Sequence, residues 1–398
     1  MPGLSFDEYE LPKLLFLTAI TTVLSITSLT HRILHGKKFT FKRIPIEILL
    51  IGILAISQII SFVFSANIVS SLIGGPYRYQ GIITELIFIA LFANTYYLAA
   101  ISKTKTTKSI FTWAFFIAII TSIIAIAPFH IDMQYFSPLD FKERAFGTLG
   151  NPNYLAVFLI GTLPLLALAL REKSRIIKAL AGISLPVILY GLFLTGSRSA
   201  WVGIICGLLF VGVLIIIKKR SYKILAIAIA MIAIIVGAVI FQQANPTRSL
   251  QRLSLEKEDL GGITTRIYLL ESGTRLFTEN PIIGSGQETI TNNIEPYLPE
   301  YLKSNSLFFI DRTHNELLDI LVTKGLLGLL AYLSFWIYIF WTNIRRYFAS
   351  STSSTNEPLI LALLCGMLAI HTYYFMNFAT ISGNILLLIY AGYLTGRK

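Results

Sequence analysis

The sequence predicts an all-α polytopic membrane protein of about 11 transmembrane helices, with the N-terminus outside, the C-terminus inside and a large external helical loop. Three observations predict this: the apolar composition, the grouping of apolar residues into long blocks, and the alternation of basic linkers. Hydrophobic residues make up 55% of the 398 residues, charged residues 14%, and the mean hydropathy is +0.69. Soluble domains carry about 25% charged residues, so the composition excludes an ordinary soluble domain.

Each apolar block approaches or exceeds the roughly 20 residues that cross a bilayer as a helix. We place the spans near 11–30, 46–66, 82–100, 110–129, 152–170, 179–196, 199–217, 224–241, 326–343, 358–377 and 381–395. The residues before the first block are acidic and lack Lys and Arg. We therefore expect that block to stay as a helix rather than to be removed as a signal peptide.

Most of the 33 basic residues lie in the linkers that follow the odd-numbered spans and at the C-terminus. Since cytoplasmic linkers are enriched in Lys and Arg, these linkers are inside and the N-terminus is outside. The formal charge of +12 is explained in this way and does not indicate nucleic-acid binding. Cys206 and Cys365 lie inside apolar blocks, where they are expected only to pack.

The segment 242–325 is then external and polar, and its length is typical of a functional loop rather than a simple connection. The pattern predicts a helix from about Thr264 to Thr278. One face of this helix carries Ile267, Leu270, Thr274 and Phe277. A second helix is indicated near Thr313, and Gly325 is expected to break it before the next span.

Arginines outside the cytoplasmic linkers are candidates for anion binding, because the planar guanidinium grips phosphate oxygens through two donors. Arg198 lies in a short turn between two spans, where the alternative is an arginine anchored at the membrane interface. Arg266 is expected in the first turn of the loop helix, where free amides and the positive helix end favour an anion. Arg275 is expected to pair with Glu271, four residues earlier.

His314 lies in Thr313-His314-Asn315-Glu316, which has the S/T-x-x-E pattern of a capping box. This pattern makes Thr313 the N-cap and places His314 in the first helical turn. The positive helix end lowers the pKa of the imidazole and keeps it neutral, as a general base requires. The carboxylates of Asp311, Glu316 and Asp319 are close enough in sequence to orient the ring. The alternative is a surface histidine beside the membrane.

No pair of His, Cys or carboxylate residues near His314 has the spacing of metal ligands, so we expect no required metal. We also expect no cofactor.

Four motifs resemble the O-antigen ligase and O-antigen polymerase superfamily and occur in its order over residues 140–345 of a single membrane domain, 1–398. The motifs are Phe146-Gly147-Thr148-Leu149-Gly150-Asn151-Pro152-Asn153-Tyr154-Leu155, Thr195-Gly196-Ser197-Arg198, Thr265-Arg266 through Asn280-Pro281-Ile282-Ile283-Gly284-Ser285-Gly286, and Thr313-His314-Asn315. Tyr268 stands where members often have Trp.

The resemblance implies a metal-independent inverting glycosyltransferase in the cytoplasmic (inner) membrane. Such an enzyme moves a glycan from a polyprenyl diphosphate, such as undecaprenyl diphosphate, to a glycolipid, glycan or protein acceptor on the periplasmic or outer side. By this similarity Arg198 and Arg266 hold the diphosphate and His314 deprotonates or positions the acceptor. The substrate site is extended by Arg144, Asn153 and Arg78.

Within the superfamily, the sequence does not separate a ligase from a polysaccharide polymerase or an oligosaccharyltransferase acting on protein hydroxyls. A transporter or lipid flippase is the alternative from another class. It predicts inverted repeats and charged residues at the middle of the membrane, whereas here the charges gather at the outer rim. A non-catalytic assembly partner would not need Arg198, Arg266 and His314 together.

Overall fold

The computed structural model describes residues 9–34, 44–75, 78–102, 104–130, 144–220, 260–303, 310–350 and 357–397, and every longer regular element in these ranges is an α-helix. The helices are α1 (Glu10–Leu34), α2 (Ile46–Val63), α3 (Ile68–Ile73), α4 (Ile82–Ile101), α5 (Thr104–His130), α6 (Pro152–Thr162), α7 (Leu166–Ala169), α8 (Arg175–Leu194), α9 (Arg198–Lys219), α10 (Leu260–Phe277), α11 (Ile290–Asn293), α12 (Glu300–Lys303), α13 (Glu316–Ala349), α14 (Glu357–Phe375) and α15 (Ile381–Gly396).

Within the described ranges, 9 helices are long and apolar enough to cross a membrane, counting α6 and α7 with their connecting 3-10 turn as one. Each corresponds to a predicted span, which confirms the all-helical, multi-pass membrane class. The last predicted span is α15, a shorter apolar helix of 16 residues. The predicted span 224–241 lies outside the described residues. The total count and the N-out, C-in orientation stay predictions.

The chain divides into two compact units, and the first combines Met1–Ile101, Gly262–Asn343 and Tyr374–Lys398. Its most extensively packed pair of described helices is α4 with α15. A Cβ added to Gly392 would lie 2.9 Å from the carbonyl oxygen of Phe92, and one added to Gly396 would lie 2.1 Å from that of Tyr96. The G-x-x-x-G spacing of these glycines therefore lets the two helix backbones approach closely, as small residues do in membrane helices.

The second unit combines Ser102–Gly261 and Ile344–Tyr373. In this unit too, glycines let two helix backbones approach closely, here α9 and α14. A Cβ on Gly203 would lie 2.6 Å from the carbonyl oxygen of Ala369, and one on Gly207 would lie 2.6 Å from that of Cys365. Cys365 is buried against this contact, so its role here is packing.

Helix α13 is broken at Gly325, which has φ 63° and ψ −169°, so the predicted break is confirmed. The left-handed φ is one that glycine adopts at little cost. The amides that the break releases are satisfied by the preceding segment, since the amide of Leu326 donates to the carbonyl of Pro281 at 2.8 Å and that of Leu327 to Ile282 at 3.1 Å. The Asn280–Gly286 motif is thus a backbone partner for the break in α13.

Helix α10 buries mainly a different face from the one that carries Ile267 and Leu270, although Phe277 of that predicted face also packs against the core. Its buried side chains include Leu269 and Leu276, each 3% exposed, which pack against α11, α12 and Val322 of α13. Ile267 is 58% exposed and Leu270 37%. Apolar periodicity locates this helix but does not identify its buried face.

Candidate functional site

His314 precedes α13 and has a left-handed backbone, with φ 60°. The prediction that Thr313 is the N-cap and His314 lies in the first turn is wrong. The side chain of Asn315 caps the helix by accepting from the amide of Leu318 at 3.1 Å, and the helix begins at Glu316. The capping-box pattern predicted the wrong N-cap because a residue outside the pattern, Asp319, binds Thr313 instead.

Two neighbouring anchors hold His314 in this conformation, which costs an L-residue about 1–2 kcal/mol. On one side, Asp319 Oδ1 accepts from the amide of Thr313 at 2.8 Å and from its hydroxyl at 2.7 Å. On the other side, Asn315 is fixed by its capping bond. Since both neighbours are held, the backbone presents His314 in one direction.

The loop 375–379 between α14 and α15 binds the site residues through its backbone. The bonds join Asn315 Nδ2 to the carbonyl of Phe375 at 3.0 Å, Arg266 Nη1 to the carbonyl of Met376 at 3.2 Å, and the amide of Ala379 to Glu316 Oε2 at 2.7 Å. The ring of Phe378 contacts His314, with ring centroids 5.4 Å apart, and the guanidinium of Arg78, which lies 3.9 Å from the Phe378 centroid. The sequence analysis missed this loop.

The pKa of His314 is lowered from 6.5 to about 4, first by burial and then by the positive charge of Arg266, while Asp311 acts in the opposite direction. The predicted direction is therefore right, but these causes replace the helix end. The imidazole is neutral at physiological pH, as a proton acceptor must be.

Arg266 is exposed and lies in the second turn of α10, because the helix begins at Leu260. Its expected place in the first turn, beside free amides, is wrong. Two consecutive glycines, Gly261 and Gly262, indicate a loop in the sequence, but both belong to the helix. Arg275 on the same helix pairs with Glu271 at 2.7 Å, as predicted.

Arg78 is buried and binds Asp311 through two nitrogens, with Nη2 3.0 Å from Oδ1 and Nε in contact with Oδ2. Burial alone would raise the pKa of Asp311, but the Arg78 guanidinium holds it below its usual range. Arg78 thus lies beside the predicted site, and its fork is occupied by a carboxylate of the protein. A role in substrate binding stays a prediction.

Arg312 is a buried cation that the sequence analysis did not single out. It forms an ion pair with Glu288, donates from Nη2 to Gln80 Oε1 at 3.2 Å, and has Nε 4.0 Å from Asp319 Oδ2. It also donates from Nη1 to the carbonyl of Asp311 at 3.0 Å. Arg312 therefore connects the segment before His314 to Gln80, to Glu288 and to Asp319 of α13. Its position directly before Thr313-His314 was the sequence signal that could have identified it.

Arg144 and Asn153, both predicted site residues, meet in the second unit. Arg144 Nη2 donates to Asn153 Oδ1 at 3.2 Å, and its Nε donates to the carbonyl of Thr195 at 2.6 Å. Arg198 is half-buried and begins α9 just after the Thr195 turn. These contacts bring the first two motifs together. The roles of Arg144, Asn153 and Arg198 in substrate binding stay predictions.

In the part of the chain that the structure describes, no group of three or more His, Cys, Asp and Glu residues is arranged to hold a metal ion. Independence from metals and cofactors stays a prediction.

The pH dependence of the site follows from the lowered pKa of His314. Because the imidazole is neutral above about pH 4, kcat/KM of a reaction in which His314 accepts a proton should remain high at about pH 5.5, where a histidine of ordinary pKa is mostly protonated. Removing the charge in Arg266→Gln should move the acidic limb to higher pH. A limb centred near 6.5 in the unmodified protein would contradict the assignment.

The same shift affects stability. The unfolded chain binds a proton at His314 near pH 6.5 and the folded protein only near pH 4, so His314 makes the folded state less stable as the pH falls through this window. Above about pH 6.5 it contributes no pH dependence.

Gly273 of α10 lies against the anchor of His314. A Cβ added there would lie 2.6 Å from Thr313 Cγ2 and 3.1 Å from Leu318 Cδ2. We expect Gly273→Ala to destabilise the protein by about 1–3 kcal/mol of overpacking, partly offset by about 1 kcal/mol of helix propensity. The measurement is thermal unfolding in detergent.

Gly182 of α8 provides the matched control, because a Cβ there has no atom within 4 Å. Gly182→Ala should leave the unfolding temperature unchanged or raise it. Equal effects of the two substitutions would contradict the close contact at Thr313.

The chain resembles known proteins over the part that holds these residues. The O-antigen ligase family model matches residues 183–333, which include Arg198, Arg266 and His314 but not Arg78, Arg144, Asn153 or the loop 375–379. The teichuronic acid biosynthesis protein TuaE of Bacillus subtilis (strain 168) is 26% identical over 222 residues, covering 54% of this chain and 44% of that protein. The comparison thus spans less than half of this relative. The predicted resemblance is confirmed: this multi-pass membrane protein contains a region, residues 183–333, that matches the O-antigen ligase family model and includes both Arg266 and His314.

Proposed function

We propose that this protein is a membrane glycosyltransferase that moves a glycan from a polyprenyl diphosphate carrier to an acceptor hydroxyl at the outer face of the cytoplasmic membrane. The observation that carries the proposal is a neutral, half-buried imidazole, His314, near enough to the exposed cation Arg266 for that charge to lower its pKa. The O-antigen ligase family supports a glycan-processing activity on lipid-linked substrates.

The two groups suit the two ends of a displacement at the anomeric carbon. His314 accepts the proton of the acceptor hydroxyl as its oxygen bonds to that carbon. The bond from the carbon to the diphosphate breaks, and the negative charge that develops there is stabilised by Arg266. Since this charge grows toward the transition state, the arginine favours the transition state over the bound substrate. Attack opposite the leaving group inverts the anomeric configuration.

The acceptor distinguishes the three activities of the superfamily. TuaE is described as a protein of teichuronic acid biosynthesis, which supports a cell-envelope polysaccharide as the glycan here. We favour the ligase-type reaction, with polymerase and O-oligosaccharyltransferase as alternatives.

The proposal is tested in proteoliposomes that contain a glycan linked to polyprenyl diphosphate and a chelator. A glycolipid, a second carrier-linked glycan and a hydroxyl-containing peptide are offered as acceptors in separate reactions. A new glycosidic bond supports the proposal, and the acceptor used identifies the branch. No bond with any acceptor, from protein shown to be folded, would overturn it. Movement of the donor across the bilayer without transfer would indicate a transporter.

Substituting Arg266 tests diphosphate binding. Arg266→Lys keeps the charge but removes the planar fork, so kcat/KM should fall by about tenfold or more, and Arg266→Gln should lower it by about 10²–10³. Arg275→Lys is the matched control, since Arg275 lies on the same helix and pairs with Glu271. Full activity of Arg266→Lys would contradict two-donor binding and leave only the charge.

A further inference from the structure

A small polar cavity lies beside the start of α13, within the first unit. Its volume is about 40 Å³, which leaves room for about two or three water molecules. Four carboxyl groups and two cations line the cavity, and we call it the Glu316 cavity. Its charged lining residues are Glu85, Glu288, Glu316, Asp319, Arg312 and Lys324.

The two cations of the Glu316 cavity are already paired with two of its carboxylates. Lys324 Nζ lies 3.1 Å from Glu85 Oε1, and Arg312 forms an ion pair with Glu288. The other two carboxyl groups both belong to the first turn of α13. Arg312 Nε reaches one of them, Asp319 Oδ2, only at 4.0 Å. With every group ionised, the lining would therefore carry more negative charge than its two cations neutralise.

The two remaining carboxyl groups, Glu316 and Asp319, are three residues apart on the helix, so their side chains are neighbours. Both precede the break at Gly325 and lie outside the predicted span 326–343. Burial and the negative charge of Asp319 raise the pKa of Glu316 above its usual range. A further titratable group near Glu316 is the phenol of Tyr332. Two adjacent buried carboxyl groups of this kind commonly share one proton.

Two buried oxygen atoms of residues that line the cavity have no hydrogen-bond donor among the described residues. They are Asp319 Oδ2 and Gln287 Oε1. Asp319 is held by the two bonds that its Oδ1 accepts from Thr313, and Gln287 Nε2 donates to the carbonyl of Gln58 at 3.0 Å. Since a buried acceptor without a donor is costly, the cavity needs a donor. A protonated Glu316 supplies one and also removes the excess charge.

We propose that the Glu316 cavity binds one proton near neutral pH, carried by Glu316 and donated to Asp319 Oδ2 directly or through a water molecule. The second oxygen of the neutral acid, Oε2, accepts from the amide of Ala379 at 2.7 Å. Asp319 stays ionised and keeps both bonds to Thr313. Glu316 is thus a positioning residue for the segment that holds His314. The inference goes beyond the proposed function, because it does not depend on the reaction.

Infrared spectroscopy of the purified protein in detergent detects this proton, since the carbonyl stretch of a protonated carboxyl is resolved from that of a carboxylate. At about pH 6, carboxyl groups with an ordinary pKa near 4 are ionised. The unmodified protein should show a protonated carboxyl band at this pH, and Glu316→Gln should reduce it. Glu271→Gln is the matched control, because Glu271 is an exposed glutamate paired with Arg275, and this variant should keep the full band.

The pH dependence of unfolding provides a second measurement. Because the pKa of Glu316 is raised in the folded protein, its proton stabilises the folded state at low pH, and this stabilisation is lost as the pH rises. Glutamine stays neutral and keeps a donor and an acceptor. Relative to Glu316→Gln, the unfolding temperature of the unmodified protein should therefore fall between about pH 5 and pH 8. Relative to Glu271→Gln, it should not change over this range.

The opposite results would overturn the inference. An unchanged carboxyl band in Glu316→Gln would show that Glu316 carries no proton, and loss of the band only in Asp319→Asn would place the proton on Asp319. A difference in unfolding temperature that is constant with pH would mean that Glu316 does not change its protonation on folding. A Glu316→Gln variant that is unfolded, or much less stable than the unmodified protein at about pH 5, would also contradict a neutral acid at this position.

Discussion

Replacing His314 by asparagine is expected to lower kcat for glycan transfer by about 10²–10⁴, the range that a general base contributes. The imidazole is neutral because of burial and the nearby Arg266, so it can accept the proton of the acceptor hydroxyl. Asparagine is chosen because it tolerates the left-handed conformation at this position better than most residues. His314→Asn therefore removes the chemistry and keeps the backbone, and KM for the donor should change little.

Two comparisons separate chemistry from structure. His314→Ala removes the imidazole and adds backbone strain, so it should be no more active and less stable than His314→Asn. His31→Ala removes another imidazole of the first unit, one that lies 2.9 Å from the Tyr97 hydroxyl, and should retain transfer. Full kcat in His314→Asn would refute the general base. Loss in alanine with retention in asparagine would assign His314 a backbone role.

Hydropathy predicted most of the fold because each span is an independent apolar block whose length is set by the bilayer. Predictions from residue type and short spacing were also correct where the interaction joins residues close in sequence. The break at Gly325 follows from one residue type, and the Arg275 pair with Glu271 follows from a spacing of four. The capping box failed because Asp319 competes for Thr313. That carboxylate lies one turn further along the helix, beyond the reach of the motif.

The site was only partly predictable for the same reason. Arg266 and His314 were proposed from residue type and motif, and the structure places both beside the loop 375–379. The loop 375–379 carries no motif, and its role depends on where its carbonyls lie in space. Arg312 was overlooked because a buried cation is defined by its partner, and Glu288 is distant in sequence. Contacts of this kind need the folded structure.

Replacing Arg312 by methionine is expected to destabilise the protein by about 3–5 kcal/mol, the cost of removing one partner of a buried ion pair. The side chain of Arg312 is 8% exposed and that of Glu288 6%, so the remaining carboxylate would be buried without its cation. Although burial alone would lower the pKa of Arg312, Glu288 raises it, so the pair is held in the charged form. The expected result is a large fall in the unfolding temperature in detergent and loss of transfer.

The double variant decides whether the loss comes from the uncompensated charge. Adding Glu288→Gln to Arg312→Met removes the unpaired carboxylate and should restore a substantial part of the unfolding temperature, since an apolar replacement of a buried pair is often nearly neutral. Arg275→Met provides the exposed control, because a surface pair contributes only about 0–1 kcal/mol. If Arg312→Met were as stable as Arg275→Met, the pair would not hold the segment before His314. Recovery of stability without recovery of transfer would show that Arg312 also positions the Thr313–His314 backbone through its bond to the carbonyl of Asp311.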